Sequence, residues 1–249
     1  METVSSIADL LREIEDVRKM WGENIWFRGH YDAEWSLLPT LLRKRSDIEN
    51  VMAGEDLAIK VFQQNAKTIL GNVPGNLMEL LFWMQHHGAP TRLLDWSESP
   101  LVALYFATND EHVSAVVDGA IWFLNPIGLN KNANIEEYDN FIPAYTDQDI
   151  VKSYNPDDIK KNKRVKCKPI AMIATRNNSR IQAQQGVFTI HHLDFTPIEK
   201  VGDGSHIRKL TIPASAKSSL KDQLKMLGIS HFQLFPELDS IGKIVRERL

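Results

Sequence analysis

The sequence predicts an α+β fold, with an antiparallel β core flanked by N-terminal and C-terminal helices. Two observations predict it. Amphipathic helical periods occupy the first part of the chain, and short runs rich in β-branched and aromatic residues, set between turn signals, follow them. The order is helices first and then strands that can close as hairpins, not alternating βαβ units. At 249 residues, with 43% hydrophobic and 24% charged residues, the chain suits one large domain or two small ones tightly joined. There is no internal repeat and no low-complexity linker.

Ile7, Leu10, Leu11, Ile14, Val17 and Trp21 recur at helical spacing, with Ser6 and Asp9 placed as a capping box and Gly22 as the stop. Asn24–Phe27 reads as a short strand with Arg28-Gly29 at its end. Leu37–Arg45, with Arg43, Lys44 and Arg45, reads as a solvated helical turn. A second helix runs from about Glu55 to Leu70 on Ala58, Val61, Phe62, Asn65 and Ile69, and Glu55 leans towards that inner face. Leu77, Leu80, Leu81 and Met84 mark the next helix, which Gly88-Ala89-Pro90 ends. Thr91–Leu94 fits a short buried strand, and Ser99-Pro100 caps an apolar helix to Ala107. Strands are expected at Ala120–Leu124, Pro169–Thr175, Gly186–His191 and Ile207–Ile212. Helices are expected at Ser215–Leu227 and Ser240–Leu249. The polar, irregular stretch 126–166 reads as a surface excursion.

Several function classes drop out. The net charge of −3 and pI near 6.2 give no global basic field for nucleic acid. The single thiol, Cys167, cannot form an internal disulfide. The N-terminus lacks a basic n-region and a long apolar run, so a cytoplasmic protein is expected. No P-loop, Rossmann glycine pattern, His-Glu-x-x-His or Gly-x-Ser-x-Gly occurs. Adjacent His86 and His87 cannot share one metal from one helix face, so no metal is expected.

Three stretches remain that a core would not require: Trp26–His30, Gln85–Thr108 and Arg180–Phe188. Arg28 follows an apolar strand, where a guanidinium needs an anionic partner. That partner is either a protein carboxylate, Glu55 or Asp95, or a ligand phosphate or carboxylate gripped by the planar fork. Arg92 and Asp95, three apart, suit each other as an ion pair. Ser99 suits a cap, and His86 and His87 suit a helix C-terminus. Gln182, Gln184 and Gln185 lead into a strand. The basic run Lys160–Lys168 suits either a solvated loop or phosphate contacts to nucleic acid.

On these residues the chain resembles a known family. Trp26-Phe27-Arg28-Gly29, QHHGAPTRLLDWSESPLVALYFA at Gln85–Ala107, and RIQAQQGVF at Arg180–Phe188 are similar to the FRG domain, as is the tail from LKMLGIS through LFPELDSI. The resemblance covers nearly all of the chain after the first helix. It implies an N-terminal helix over 1–22 and one FRG domain over 23–249. The family occurs largely in bacteria and their phages. A second resemblance is to ADP-ribosyltransferases of the arginine–serine–glutamate type. Arg28 fits the first element and Asp95-Trp96-Ser97 before Ala103-Leu104-Tyr105-Phe106-Ala107 fits the second. Gln182-Ala183-Gln184 falls where Glu-x-Glu or Gln-x-Glu is expected.

This second resemblance implies an ADP-ribosyltransferase-like split antiparallel β core, NAD as substrate, and ADP-ribosyl transfer or NAD hydrolysis. A toxin or phage-defence effector is one setting for such chemistry. The alternative is a non-catalytic nucleotide- or nucleic-acid-binding module. The implied catalytic set is Arg28, Glu55, Ser97 and Gln184. Arg28, Gly29, His87, Arg92, Asp95, Tyr105 and Gln182 are the implied NAD contacts. Gln184 departs from the family's pattern, because it is neutral where a carboxylate stabilises the oxocarbenium-like transition state. Glu55, and after it Asp95, are the expected substitutes.

Overall fold

The computed structural model describes residues 2–43, 47–71, 73–109, 116–135, 141–174 and 178–248, without the side chains of residues 70, 148, 149, 243, 247 and 248. Helix α1 (Ile7–Trp21) is followed by β1 (Trp26–His30), α2 (Thr40–Arg43), α3 (Ile48–Leu70) and α4 (Leu77–His86). Next come β2 (Leu93–Ser97), α5 (Pro100–Thr108), β3 (Gly119–Leu124), α6 (Pro126–Asn132), α7 (Gln148–Val151) and α8 (Pro156–Lys161). The chain closes with β4 (Ile170–Met172), α9 (Ser179–Ala183), β5 (Gly186–Ile190), β6 (Ile207–Ile212), α10 (Lys217–Met226), α11 (His231–Leu234) and α12 (Leu238–Arg248). The fold is α+β, with helices around one sheet.

The sheet has six strands in the order β4-β5-β2-β1-β3-β6, and every pairing between named strands is antiparallel. Five register pairs join β1 to β3 and five join β2 to β5, but Phe27↔Ser97 alone joins β1 to β2. The sheet is therefore two three-stranded halves that meet at one point and diverge beyond it.

Register and strand alternation assign the faces. One face carries Phe27, Ile121, Phe123, Leu210 and Ile212, packed under Val4, α1, α5 and α10. The same face continues across the split with Leu93, Phe188, Ile190, Ile170 and Met172, under α3 and α4. The other face carries Trp26, Trp122, Leu124, Leu94, Trp96 and Val187, covered by Leu37, Leu129, Ile198 and Val201. Asp95 and Ser97 share the face of Phe27; Arg28 and His30 share that of Trp26.

Local signals explain the element ends. The Ser6 hydroxyl accepts from Asp9 N–H, the Asp9 carboxylate accepts from Ser5 N–H, and Gly22 stops α1 at φ +80°. The Ser99 hydroxyl caps α5, with Pro100 in its first turn. At the N-terminus, Thr3 bridges Thr211 in parallel, so the first residues cover part of the outer edge of β6.

Several expectations shift. Strand β1 extends to His30, so Arg28 stands in mid-strand and not at a strand end. Strand β2 begins at Leu93, two residues after the expected Thr91, and runs on past Leu94 through Asp95–Ser97. Helix α3 begins seven residues before Glu55, at Ile48, because Asp47 caps it by accepting from Asn50 N–H. Lys44, Arg45 and Thr175 lie outside the described residues. The stretch 126–166 contains α6, α7 and α8 and buries Leu129, Val151, Tyr154 and Ile159. Its polar composition hides these short helices, two of which, α6 and α8, are capped by an asparagine followed by proline at Asn125-Pro126 and Asn155-Pro156.

Candidate functional site

A cleft of about 280 Å³ occupies the split between β1 and β2. Because the strands diverge there, both faces of the sheet contribute to it. Arg28 and His30 come from β1, Asp95 and Ser97 from β2, Ala103 and Phe106 from α5, and Gln85 and His86 from the last turn of α4. Arg43 of α2, Arg180 of α9 and Gln184 close the rim.

Gly29 shows why α5 lies so close to this opening. A Cβ built on Gly29 would stand 1.8 Å from the Ala103 carbonyl oxygen and 2.6 Å from the Ala107 nitrogen. Only a residue without a side chain lets β1 lie against the α5 backbone, so the glycine beside Arg28 sets the helix's distance from the cleft.

Arg28 spans the split. Its Nη1 donates to the Asp95 carbonyl oxygen and its Nε donates to His30 Nε2 at 2.9 Å. Nη2 makes no hydrogen bond among the described residues. Burial pulls the guanidinium down to about 10, with Asp95 raising it and Arg43 lowering it further. It remains cationic at neutral pH. His30 must therefore offer a lone pair at Nε2, and its Nδ1–H donates to the Trp35 carbonyl at 3.1 Å. Burial first, and the Arg28 charge second, hold His30 well below its ordinary range, which agrees with this neutral tautomer.

Two further guanidiniums stand at the cleft. Arg43 Nε donates to the Leu38 carbonyl at 2.9 Å. Arg180 Nη1 donates to the His86 carbonyl at 3.1 Å, and its guanidinium lies 4.6 Å from the centroid of the Phe235 ring. Burial also lowers His86 to about 4, assisted by Arg180 and His87. Against these cations Asp95 is the one carboxylate among the lining residues. The cleft is thus polarised for an anionic ligand, which planar guanidiniums can hold through paired hydrogen bonds.

Ser97 and Gln184 do meet here. Ser97 Oγ donates to the Gln184 carbonyl at 2.7 Å and accepts from Ser99 N–H at 2.9 Å. The Gln184 side chain turns to the C-terminal segment, where Nε2 donates to the Leu234 carbonyl at 3.0 Å. The next residue, Gln185, has φ +47°, a left-handed turn that leads the chain into β5.

The structure brings together Arg28, Gly29, Asp95, Ser97 and Gln184 from the expected set and leaves the others elsewhere. Glu55 is not at the cleft. It is buried against Arg92, whose Nε donates to Glu55 Oε1 at 2.8 Å while Nη1 and Nη2 donate to the His191 and Tyr154 carbonyls at 2.6 and 2.8 Å. Arg92 is itself wholly buried, so its partner is Glu55 and not Asp95. His87 is exposed beside Phe62 and His86. Gln182 is exposed on α9, and Tyr105 reaches His231 Nδ1 at 3.2 Å. In the basic run, Lys160 bonds Asp56 at 2.5 Å and holds that carboxyl down at about 2 with the help of Lys60. Lys161 and Lys168 pair with Asp158 and Asp194.

Sequence reasoning passed over Arg43, Trp35 and Phe106 as cleft residues. Arg43 had one usable signal, its place directly after the buried Leu41-Leu42 pair. Trp35 and Phe106 had none, since aromatic residues at such spacing usually belong to a core.

Among the described residues no helix is long and apolar enough to cross a membrane. No curated protein and no solved structure matches the chain. The model of the FRG domain does match, over residues 23–115, a span that takes in Arg28, Gly29, Gln85, Asp95 and Ser97 but ends before Arg180 and Gln184. Over residues 23–115, and there alone, the chain is similar to the FRG domain.

Proposed function

We propose that the cleft binds NAD and that the protein is an ADP-ribosyltransferase-like enzyme, cleaving the nicotinamide–ribose bond for ADP-ribosyl transfer or hydrolysis. The observation that carries this reading is the convergence of Arg28, Arg43 and Arg180 on one cleft whose single lining carboxylate is Asp95. The guanidiniums suit a pyrophosphate, with Arg28 Nη2 as one uncommitted donor. Ser97 holds the turn that carries Gln184, whose Oε1 suits a ribose hydroxyl. Asp95 takes the part expected of the missing glutamate.

The step needs only NAD and a nucleophile, water or an acceptor hydroxyl. The bond between nicotinamide N1 and ribose C1′ breaks, and neutral nicotinamide leaves with the electron pair. The cationic sugar is stabilised by the Asp95 carboxylate, and water or an acceptor hydroxyl adds at C1′. That nucleophile's proton passes to Asp95 and then to solvent. Losing one such electrostatic contact commonly costs about 10²–10³ in rate.

The test is nicotinamide release from NAD by wild type, Asp95→Asn and Arg28→Ala, together with melting in NAD. Release by wild type with loss of about two orders of magnitude in Asp95→Asn is expected. Saturation at 100-fold over Kd stabilises the protein by about 2.7 kcal/mol. If NAD is neither cleaved nor stabilising, the reading fails. One observation favours a second reading. The residue at the glutamate position, Gln184, has its amide nitrogen engaged by Leu234, as a binding module without catalysis would allow. Stabilisation by NAD without release of nicotinamide would select that module.

A further inference from the structure

Asp95 does not stand alone. Gln85 Nε2 donates to Asp95 Oδ2 at 2.6 Å, and the Thr91 hydroxyl lies 2.5 Å from Gln85 Oε1. Leu93 N–H donates to Thr91 Oγ1 at 3.1 Å. These contacts have only one self-consistent direction. Leu93 N–H already occupies an acceptor site on Thr91, so the hydroxyl hydrogen is free to be given away. A carboxylate can only accept, so it requires the amide nitrogen of Gln85 and not its oxygen. Flipping the amide would set oxygen against carboxylate at one end and waste the hydroxyl hydrogen at the other. The chain of donors therefore runs from Leu93 N–H through Thr91 and Gln85 to Asp95.

The chain also runs from the core outwards. Thr91 is wholly buried, Gln85 half-buried and Asp95 exposed to the cleft. Gln85 sits in the last turn of α4 and Asp95 in the middle of β2, and the connection folds back so that residues ten apart touch. Asp95 Oδ1 makes no hydrogen bond among the described residues.

We propose that Gln85 and Thr91 are positioning residues for Asp95, fixing Oδ2 as an acceptor and leaving Oδ1 as the oxygen that meets the ligand. The proposal rests on the reading of Asp95 as the reactive carboxylate of the NAD cleft. It gives the Gln-x₅-Thr-x₃-Asp spacing within Gln85–Asp95 a physical purpose. The charged and titratable groups that line the cleft with Asp95 are Arg28 and His30 from β1, Tyr31 directly after it, Arg43 from α2, His86 from α4 and Arg180 from α9. None of these takes part in the chain of donors.

The test reads the carboxylate itself, without NAD. The Asp95 side-chain carboxyl is titrated by ¹³C NMR, assigned through Asp95→Asn, in wild type, Gln85→Glu, Gln85→Leu, Thr91→Val and Thr91→Ser. Gln85→Glu sets a second carboxyl at hydrogen-bond distance and raises the titration of the pair by about one pH unit or more. Gln85→Leu raises it less, by removing a donor to the charged form. Thr91→Val, nearly isosteric in its buried site, moves it in the same direction as Gln85→Leu, and Thr91→Ser restores the wild-type curve. An Asp95 titration unmoved by Gln85→Glu overturns the proposal, as does a Thr91→Val curve identical to wild type. With NAD, Gln85→Leu lowers kcat about tenfold with KM unchanged, and the pH–rate profile of Gln85→Glu moves with its titration. If the titrations shift but wild type releases no nicotinamide, the NAD reading fails while the positioning stands.

Discussion

Removing Glu55 separates two roles that the sequence allowed for it. Arg92 is wholly buried and Glu55 nearly so, and three of the guanidinium's nitrogens are engaged, by Glu55, the His191 carbonyl and the Tyr154 carbonyl. Glu55→Ala keeps the two carbonyl contacts but takes away the only countercharge among them. Breaking a buried pair from one side costs about 3–5 kcal/mol, since the remaining charge cannot recover its hydration. For a chain of this size each kcal/mol moves the melting midpoint by about 2–4 °C, so a fall of roughly 6–20 °C follows. The assay is thermal and urea denaturation of Glu55→Ala, Glu55→Gln and the double variant Glu55→Leu/Arg92→Met. Glu55→Gln keeps an acceptor for Arg92 Nε and loses less. The double variant recovers much of the loss, because apolar side chains of similar volume replace both charges. Glu55→Ala melting within about 2 °C of wild type would refute the structural account. So would a Glu55→Gln protein that stays folded, binds NAD and has lost nicotinamide release, since Glu55 would then reach the chemistry it is built away from.

Three other outcomes are expected. Burial lowers His191 and His192 to about 4, so the folded state prefers them neutral while the unfolded chain takes up protons near 6.5. The unfolded state binds more protons between those values. Their contribution is therefore complete above about pH 6.5 and is lost as pH falls towards 4, on the order of 2–3 kcal/mol apiece, measured as the urea midpoint against pH. A midpoint constant from pH 7 to pH 4.5 would contradict this. Gly29→Ala forces its Cβ onto the Ala103 carbonyl and should destabilise by more than the usual 1–3 kcal/mol of overpacking; a wild-type melting curve would show that β1 and α5 can part. Arg28→Lys keeps the charge but loses the fork that joins His30 and the Asp95 carbonyl, and should weaken NAD binding about 10- to 100-fold by calorimetry. Unchanged affinity would mean that charge alone binds the ligand.

The residues that could be read from sequence are those whose signals are local. Ser6 with Asp9, Ser99 with Pro100, and the run Ile207–Ile212 announce their elements because capping and strand propensity act over a few residues. The convergence of Arg28 with Ser97 and Gln184 was legible through motif resemblance, and the α+β class through the order of periods. What was not legible depends on register. Nothing local says that β1 pairs with β2 at one residue only, so the split that makes the cleft is invisible in the sequence. The partner of Arg92 lies 37 residues away on α3, and a carboxylate three residues off looked nearer. Arg43 read as a solvated charge because the cleft it faces is assembled from distant elements.

These misreadings share a cause that bears on the motif itself. Within Gln85–Ser97 the chain turns from helix to strand, and its polar residues are divided between the core and the cleft. Thr91 and Arg92 go inward and are wholly buried; Gln85, Asp95 and Ser97 line the opening. Arg92 and Asp95 are three residues apart, yet one clamps α3 and the His191 backbone while the other lines the cleft. The two tasks are linked through geometry. The Arg92 carbonyl accepts from His191 N–H just before β2 begins, and Thr91 anchors the donors that end on Asp95. The buried ion pair thus holds the start of the strand on which the cleft's carboxylate is carried. A motif that looks like one polar binding loop is a structural clamp and a cleft rim in a single stretch, and substitution at either end should report on a different property of the protein.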